Sequence, residues 1–293
     1  MTKASLSFRI KIISELGKVR ISLPIALSAY TGYALQTGRF GTDALILMTG
    51  VFLMSCSSGA INHLQEYKTD ALMPRTQNRP IPSGKISPEG ALRVALAYFI
   101  SGGIILLTAF PALVFLTSVL TLISYNAIYT PLKKVTAFAV VPGSLVGALP
   151  PYIGWFAGGG HWMSADIFWV ALFFFIGQIP HFWLLLLMFG KEYELAGFPS
   201  LNSVFSDNQI KRLSFTWIVA TIATAIVVAL KVLHGDVIMF FLLMYILYVL
   251  ISLSGSILIK HDIKARPAFF KLNFLYLLMM IVLIADSLIG RME

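Results

Sequence analysis

Apolar residues in this chain come in long unbroken runs, separated by short clusters of Gly, Pro and charged residues. A stretch such as FFLLMYILYVLISLSGSILI lacks the apolar–polar alternation, over segments of about ten residues, that membrane β-barrel strands require, so the runs predict helices. A helix crossing hydrocarbon needs about 20 predominantly apolar residues. Runs of that kind cover 20–37, 44–65, 91–108, 111–129, 137–157, 166–189, 214–233, 237–259 and 270–289. The expected fold is therefore all-α: a polytopic integral membrane protein, one domain over 1–293, with nine transmembrane helices around a cytoplasm-facing cavity.

Composition strengthens this reading. The chain is 58% hydrophobic and 12% charged, with a mean hydropathy of +0.83, whereas soluble domains carry about 25% charge. A soluble fold is excluded. The single cysteine, Cys56, cannot form an internal disulfide, and the N-terminal stretch lacks the compact apolar run and small-residue cleavage site of a secretory signal. The first span is expected to be retained.

Charge adds orientation. Of 22 Lys and Arg, all but Arg39, Lys231 and Arg291 fall on one side of the predicted bilayer. By the positive-inside rule that side is cytoplasmic, with the N-terminus inside and the C-terminus opposite. The net charge of +9 thus reads as topology, and nucleic-acid binding is not expected. The two long connections, 66–90 and 190–213, also lie on the basic side, where function is expected because long ordered loops usually carry it.

The second span runs into NHLQEYKTD. Asn62, Glu66 and Asp70 are four residues apart, so on a helix they project within an arc of about 80°. Their oxygens suit Mg²⁺, a hard cation that keeps several waters and bridges one or two carboxylates to phosphate. Arg75 and Arg79, beyond Pro74, can take further phosphate oxygens through forked hydrogen bonds. Lys68 and Lys85 read as headgroup contacts. A second cluster, KEYELAGFP from Lys191 to Pro199, lands on the same side. It can face the first across a common cavity, clamping a diphosphate from both sides within apolar walls.

The first cluster, continued by Met73, Arg75-Thr76, Arg79-Pro80 and Ser83-Gly84, resembles the first aspartate-rich motif of the UbiA superfamily of intramembrane prenyltransferases. That family typically has N-x3-D-x3-D; Glu66 replaces the middle acid here. YTPLKKVT (129–136), Gly143, GALPPYIGW (147–155), GQIPHFW (177–183), Glu192-Tyr193 and AGFP (196–199) are similar to the branch of that superfamily that farnesylates haem. The resemblance covers residues 60–200. It implies Mg²⁺-assisted transfer from farnesyl diphosphate to haem b in a bacterial inner membrane. Asn62, Glu66, Asp70 and Glu192 would be the catalytic metal–diphosphate ligands. Arg75, Arg79, Lys133, Lys134, Lys191, Glu194, Tyr125 and His181 would bind substrate. The chain departs from the branch at Glu192, where Asp is common, and at Ser200-Leu201-Asn202, where Met-Leu-Pro is common.

Other residues are open to two interpretations. His181 is either an acceptor-site residue or a helix–helix contact with a partner such as Gln178. His63 points about 100° away from the ligand face and reads as structural; His161, His234 and His261 read as solvated. Lys133, Lys134, Tyr125 and Asn126 either line the cavity or sit at the interface. Pro150-Pro151 and the Gly-rich 143–160 stretch read as close packing and a bend. A quinone-type aromatic acceptor, and a secondary transporter using the acids as cation sites, are the rival functions.

Overall fold

The computed structural model describes residues 6–199, 201, 205–258 and 264–290. Ser200, Asn202, His261 and Arg291, all used above, lie outside them. Every regular element among the described residues is helical: α1 Leu6–Leu16, α2 Val19–Thr37, α3 Thr42–Asp70, α4 Pro88–Ala109, α5 Ala112–Leu132, α6 Ala137–Ala157, α7 Ala165–Leu195, α8 Asp207–Val232, α9 Asp236–Leu258 and α10 Ala265–Ile289. Several starts are capped as the sequence dictates. The Ser87 hydroxyl accepts from the Gly90 N–H ahead of Pro88, and Ser206 forms a reciprocal capping box with Gln209.

Eight of these helices, α3 to α10, are long and apolar enough to cross a membrane. The ninth expected span corresponds to α2, which falls short of that apolarity. Its position explains why. It packs against α3, α6 and α10 at once, and Ser22, Ser28, Tyr30, Thr31 and Tyr33 are buried. A helix enclosed by protein keeps its polar side chains and needs small ones for close approach. Lipid-facing helices show the opposite: Leu92, Leu96, Ile100, Ile104 and Leu107 form an exposed stripe along α4.

Two large apolar clusters hold most of the bundle together. One joins α7 to α10 through residues such as Phe173, Val228, Leu242 and Leu275; the other joins α2 to α6 through Tyr30, Leu47, Leu106 and Ile153. Close packing in the Gly- and Pro-rich stretch takes the form of a backbone-to-backbone seam between α2 and α6. A Cβ on Gly154 would stand 1.6 Å from the Ala29 carbonyl oxygen, and one on Gly32 1.9 Å from that of Pro151.

Boundaries shift at the basic end. The helix expected to end at residue 189 continues to Leu195, so Lys191, Glu192 and Glu194 are helical. The one expected to end at 65 continues to Asp70. Between Ile123 and Thr130, α5 widens into a π turn, Ser124–Tyr129, closed by the Thr130 N–H on the Tyr125 carbonyl just before Pro131, which has no N–H to give. α1 is an additional helix, with Ile12 and Leu16 packed inward and Leu6, Ile10 and Ile13 exposed.

Gly154→Ala is expected to lower stability by about 3 kcal/mol or more, because the clash is with backbone on both sides. Gly255→Ala, in open space on α9, is expected to be neutral or slightly stabilising. Thermal unfolding of the detergent-solubilised variants checks both, and equal melting temperatures would overturn the seam as a packing constraint.

Candidate active site

Asn62, Glu66 and Asp70 occupy one face of the last two turns of α3, and all three are buried, at 1%, 5% and 1% exposure. Buried carboxylates require compensation, and each polar group meets a basic side chain from a different segment. Arg79 Nη1 donates to both oxygens of Asp70 at 2.8 and 2.7 Å. Lys133 Nζ lies 2.5 Å from Glu66 Oε1, an ion pair approached off the hydrogen-bonding direction. Lys18 Nζ donates to Asn62 Oδ1 at 2.5 Å and to the Tyr125 hydroxyl at 3.5 Å.

Local folding delivers each cation. The 71–87 loop turns tightly back under α3: Thr76 Oγ donates to the Asp70 carbonyl at 2.9 Å, and the Arg79 N–H donates to the Thr76 carbonyl. Lys133 follows the π turn, which Asn126 ties to α3. The Asn126 amide donates to the Ser58 carbonyl and to Gln65 Oε1, while Ser58 Oγ donates to Asn126 Oδ1 at 2.6 Å. Lys18 sits in the α1–α2 link at φ 47°, the one non-glycine with positive φ among the described residues. Desolvation, then Arg79, pushes its ammonium down to about 7 against the pull of Glu66.

The second cluster meets the first. Glu192 Oε2 accepts from the Arg75 N–H at 3.3 Å, and Met73 packs with Ala196 and Phe198. Tyr129 stands between Tyr125, stacked on it with centroids 5.7 Å apart, and Phe182, tilted against it at 5.1 Å. Gly143 leaves it room, since a Cβ there would touch the Tyr129 ring at 2.5 Å. Lys133 Nζ lies 5.6 Å from both the Tyr129 and the Phe198 ring centroids.

Other expected residues stand apart from this core. The Arg75 guanidinium lies over Phe189 at 4.9 Å. Exposed Lys134 donates to the Gln65 carbonyl at 3.2 Å, and Lys191 and Glu194 are exposed. Lys191 and Glu192 border an open groove of about 480 Å³ with Leu186, Phe189 and Lys211. A smaller cavity, about 30 Å³, lies beside Tyr129, Lys133, Phe182 and Tyr193. His181 lies between α7 and α10, its ring 4.7 Å from that of Phe269. Its Nδ1 is buried without a hydrogen-bond partner. His63 is buried under α1 against the Glu15 backbone. Lys18 was legible only as one more basic residue near a span; its place in the site was missed, because only the link backbone aims it inward.

No three His, Cys, Asp or Glu side chains converge on a metal position among the described residues. Asn62, Glu66 and Asp70, each with a cation against it, and Glu192, on the Arg75 N–H, offer an amide and carboxylates that fit Mg²⁺ arriving with phosphate and water in most of its shell rather than an all-protein cage.

Residues 24–277 match the UbiA prenyltransferase family, and the chain belongs to that family. It is 38% identical over 190 residues to a protoheme IX farnesyltransferase of Oleidesulfovibrio alaskensis, covering 65% of this chain and 67% of that one. It is 33% identical over 224 residues to one of Nitratidesulfovibrio vulgaris, covering 76% and 78%. A UbiA homologue from Archaeoglobus fulgidus bound to DMAPP and Mg²⁺ shares the fold with a TM-score of 0.72 at 16% identity, over 94% of this chain and 98% of that one. The apo homologue from Aeropyrum pernix gives 0.72 at 16% identity, over 94% and 99%.

Removing Arg79 leaves Asp70 buried without its cation. Arg79→Met is therefore expected to destabilise the protein by about 3 kcal/mol, and adding Asp70→Asn to recover much of that loss. Melting temperatures of the single and double variants measure the coupling; additive effects would mean that the pair does not hold the loop.

Proposed function

We propose that this enzyme transfers the farnesyl group of farnesyl diphosphate to a vinyl group of haem b, with addition of water, giving haem O and diphosphate. The observation that carries the reading is the buried Asn62–Glu66–Asp70 face with Arg79, Lys133 and, across the gap, Glu192 around it. The protoheme IX farnesyltransferases among its relatives support the choice of donor and acceptor. In this reading Asn62, Glu66, Asp70 and Glu192 would hold Mg²⁺, which would supply positive charge against the leaving diphosphate. Arg79 and Lys133 take phosphate oxygens. Arg75, Lys134 and Lys191, more exposed, draw the anion toward the mouth, and Glu194 has a rim position.

As the allylic C–O bond breaks, positive charge develops on the farnesyl carbon, and the adjacent Tyr125, Tyr129 and Phe182 rings offer π faces for it. The terminal vinyl carbon of haem bonds to farnesyl C1. Water adds at the neighbouring vinyl carbon and loses a proton, leaving a hydroxyethylfarnesyl group. The groove beside Glu192 sets Leu186, Met188 and Phe189 next to Lys191, Asp207 and Lys211, a mixed lining that can take a flat acceptor with polar edges, and His181 lies on the same helix deeper in the bundle. The basic end faces the cytoplasm of a bacterial inner membrane, with the N-terminus inside and the C-terminus opposite.

Membranes containing the chain, supplied with haem b, farnesyl diphosphate and Mg²⁺, are expected to form hydroxyethylfarnesyl haem by mass spectrometry. Asp70→Ala is expected to lower turnover at least about 100-fold while still inserting, given that electrostatic stabilisers of this kind are worth 10²–10³ in rate. Diphosphate release with unmodified haem would overturn the acceptor; full turnover by a well-expressed Asp70→Ala would overturn the metal-site assignment.

A further inference from the structure

The three polar groups on α3 are matched one to one by cations: Lys18 on Asn62, Lys133 on Glu66 and Arg79 on Asp70, at 2.5 to 2.8 Å. A divalent cation and these side chains compete for the same oxygens. Free metal therefore meets a positive group at each of the three, and its entry costs the separation of a cation from its partner in a desolvated pocket. A metal–diphosphate removes that obstacle, because each displaced cation finds a phosphate oxygen.

Lys18 is the least expected member. Its two contacts, Asn62 Oδ1 and the Tyr125 hydroxyl, are neutral acceptors, so its charge lacks a contacting anion. Its backbone is held in a strained left-handed conformation, and such strain persists only where surrounding structure imposes it. Here Ser22 Oγ donates to the Gly17 carbonyl at 2.9 Å, the N–H groups of Ile21 and Ser22 donate to the Lys18 carbonyl, and Gly17 backs onto Gly59 of α3. The link is thus built to aim an ammonium at the oxygen-rich face.

Resting on the metal–diphosphate reading above, we propose that Lys18 is a diphosphate-binding residue, the third of three cations that cap the metal-donor oxygens of the free enzyme and pass to phosphate oxygens on binding. The metal and the diphosphate then enter together, and the α3 face has little affinity for a divalent cation alone.

The test needs neither haem nor turnover. Mn²⁺ binding to the purified full chain is followed by EPR, with and without inorganic diphosphate, in wild type, Lys18→Met and Lys68→Met; Lys68 is exposed at the same end of α3. In wild type, diphosphate is expected to tighten Mn²⁺ binding at least about 100-fold relative to Mn²⁺ with free diphosphate removed. Lys18→Met is expected to weaken diphosphate binding about tenfold, or about 1.4 kcal/mol, and to strengthen binding of Mn²⁺ alone. Lys68→Met is expected to change neither. Tight Mn²⁺ binding to wild type without diphosphate overturns the capping, and that measurement stands even if Lys18→Met fails to fold. Unchanged diphosphate affinity in a folded Lys18→Met overturns the role of Lys18. Failure of wild type to bind Mn²⁺–diphosphate at all overturns the metal–diphosphate reading, whereas binding as expected without any farnesylated haem leaves this inference intact and overturns only the acceptor.

Discussion

Two carboxylates and an amide buried at the end of one helix set the terms for the basic end of the molecule. Charges removed from water are tolerated only when paired, and α3 itself offers no cation facing that side. The partners must come from elsewhere: Lys18 from the link ahead of α2, Arg79 from the loop after α3, and Lys133 from the end of α5. Each local irregularity at this end serves one of these deliveries. The left-handed residue turns Lys18 inward, the Thr76 hydrogen bond curls the loop back, and the π turn with Asn126 fixes the end of α5 against α3. Electrostatic need and backbone irregularity are therefore the same feature seen at two levels.

The central position of α2 follows from the same demand. Lys18 can reach Asn62 only if the start of α2 lies tight against α3, and the rest of α2 must then run through the bundle with protein on several sides. Backbone contact with α6 at Gly154 and Gly32 gives it that place. The consequence is a helix whose buried serines, threonine and tyrosines lower its apolarity below that of its neighbours.

The helical runs, their approximate limits and the four-residue spacing of Asn62, Glu66 and Asp70 were legible because they depend on periodicity and composition alone. The contact between the 71–87 loop and the segment around Glu192 agrees with the charge asymmetry, which put both on one side. What escaped depends on tertiary contact. α2 is as long as a span, but the packing of its serines, threonine and tyrosines against α3, α6 and α10 is a tertiary feature that no run of residues announces. Glu192 was set in a loop because Gly190 looked like a stop, whereas α7 continues through it. Lys18 escaped because the positive-inside rule already accounts for a lysine beside a span, and that sufficient explanation concealed a second one.

The longer acids at positions 66 and 192 acquire a geometric context. Glu66 lies between its neighbours on the ligand face, and its cation comes from α5, beyond the π turn, rather than from the nearby loop. Glu192 stands on α7 and spans the gap to the Arg75 backbone. Both glutamates bridge separate elements of the bundle, whereas Asp70, paired with Arg79 from the adjoining loop, is an aspartate. An additional methylene extends the reach of a carboxylate by about the length of one C–C bond, and the side chain that gains it must also fix one more rotor. At both sites the carboxylate is tethered by a contact on the far side, to Lys133 and to the Arg75 N–H, and those contacts restrict the added rotor. The choice of acid thus follows the separation between the elements that each carboxylate joins.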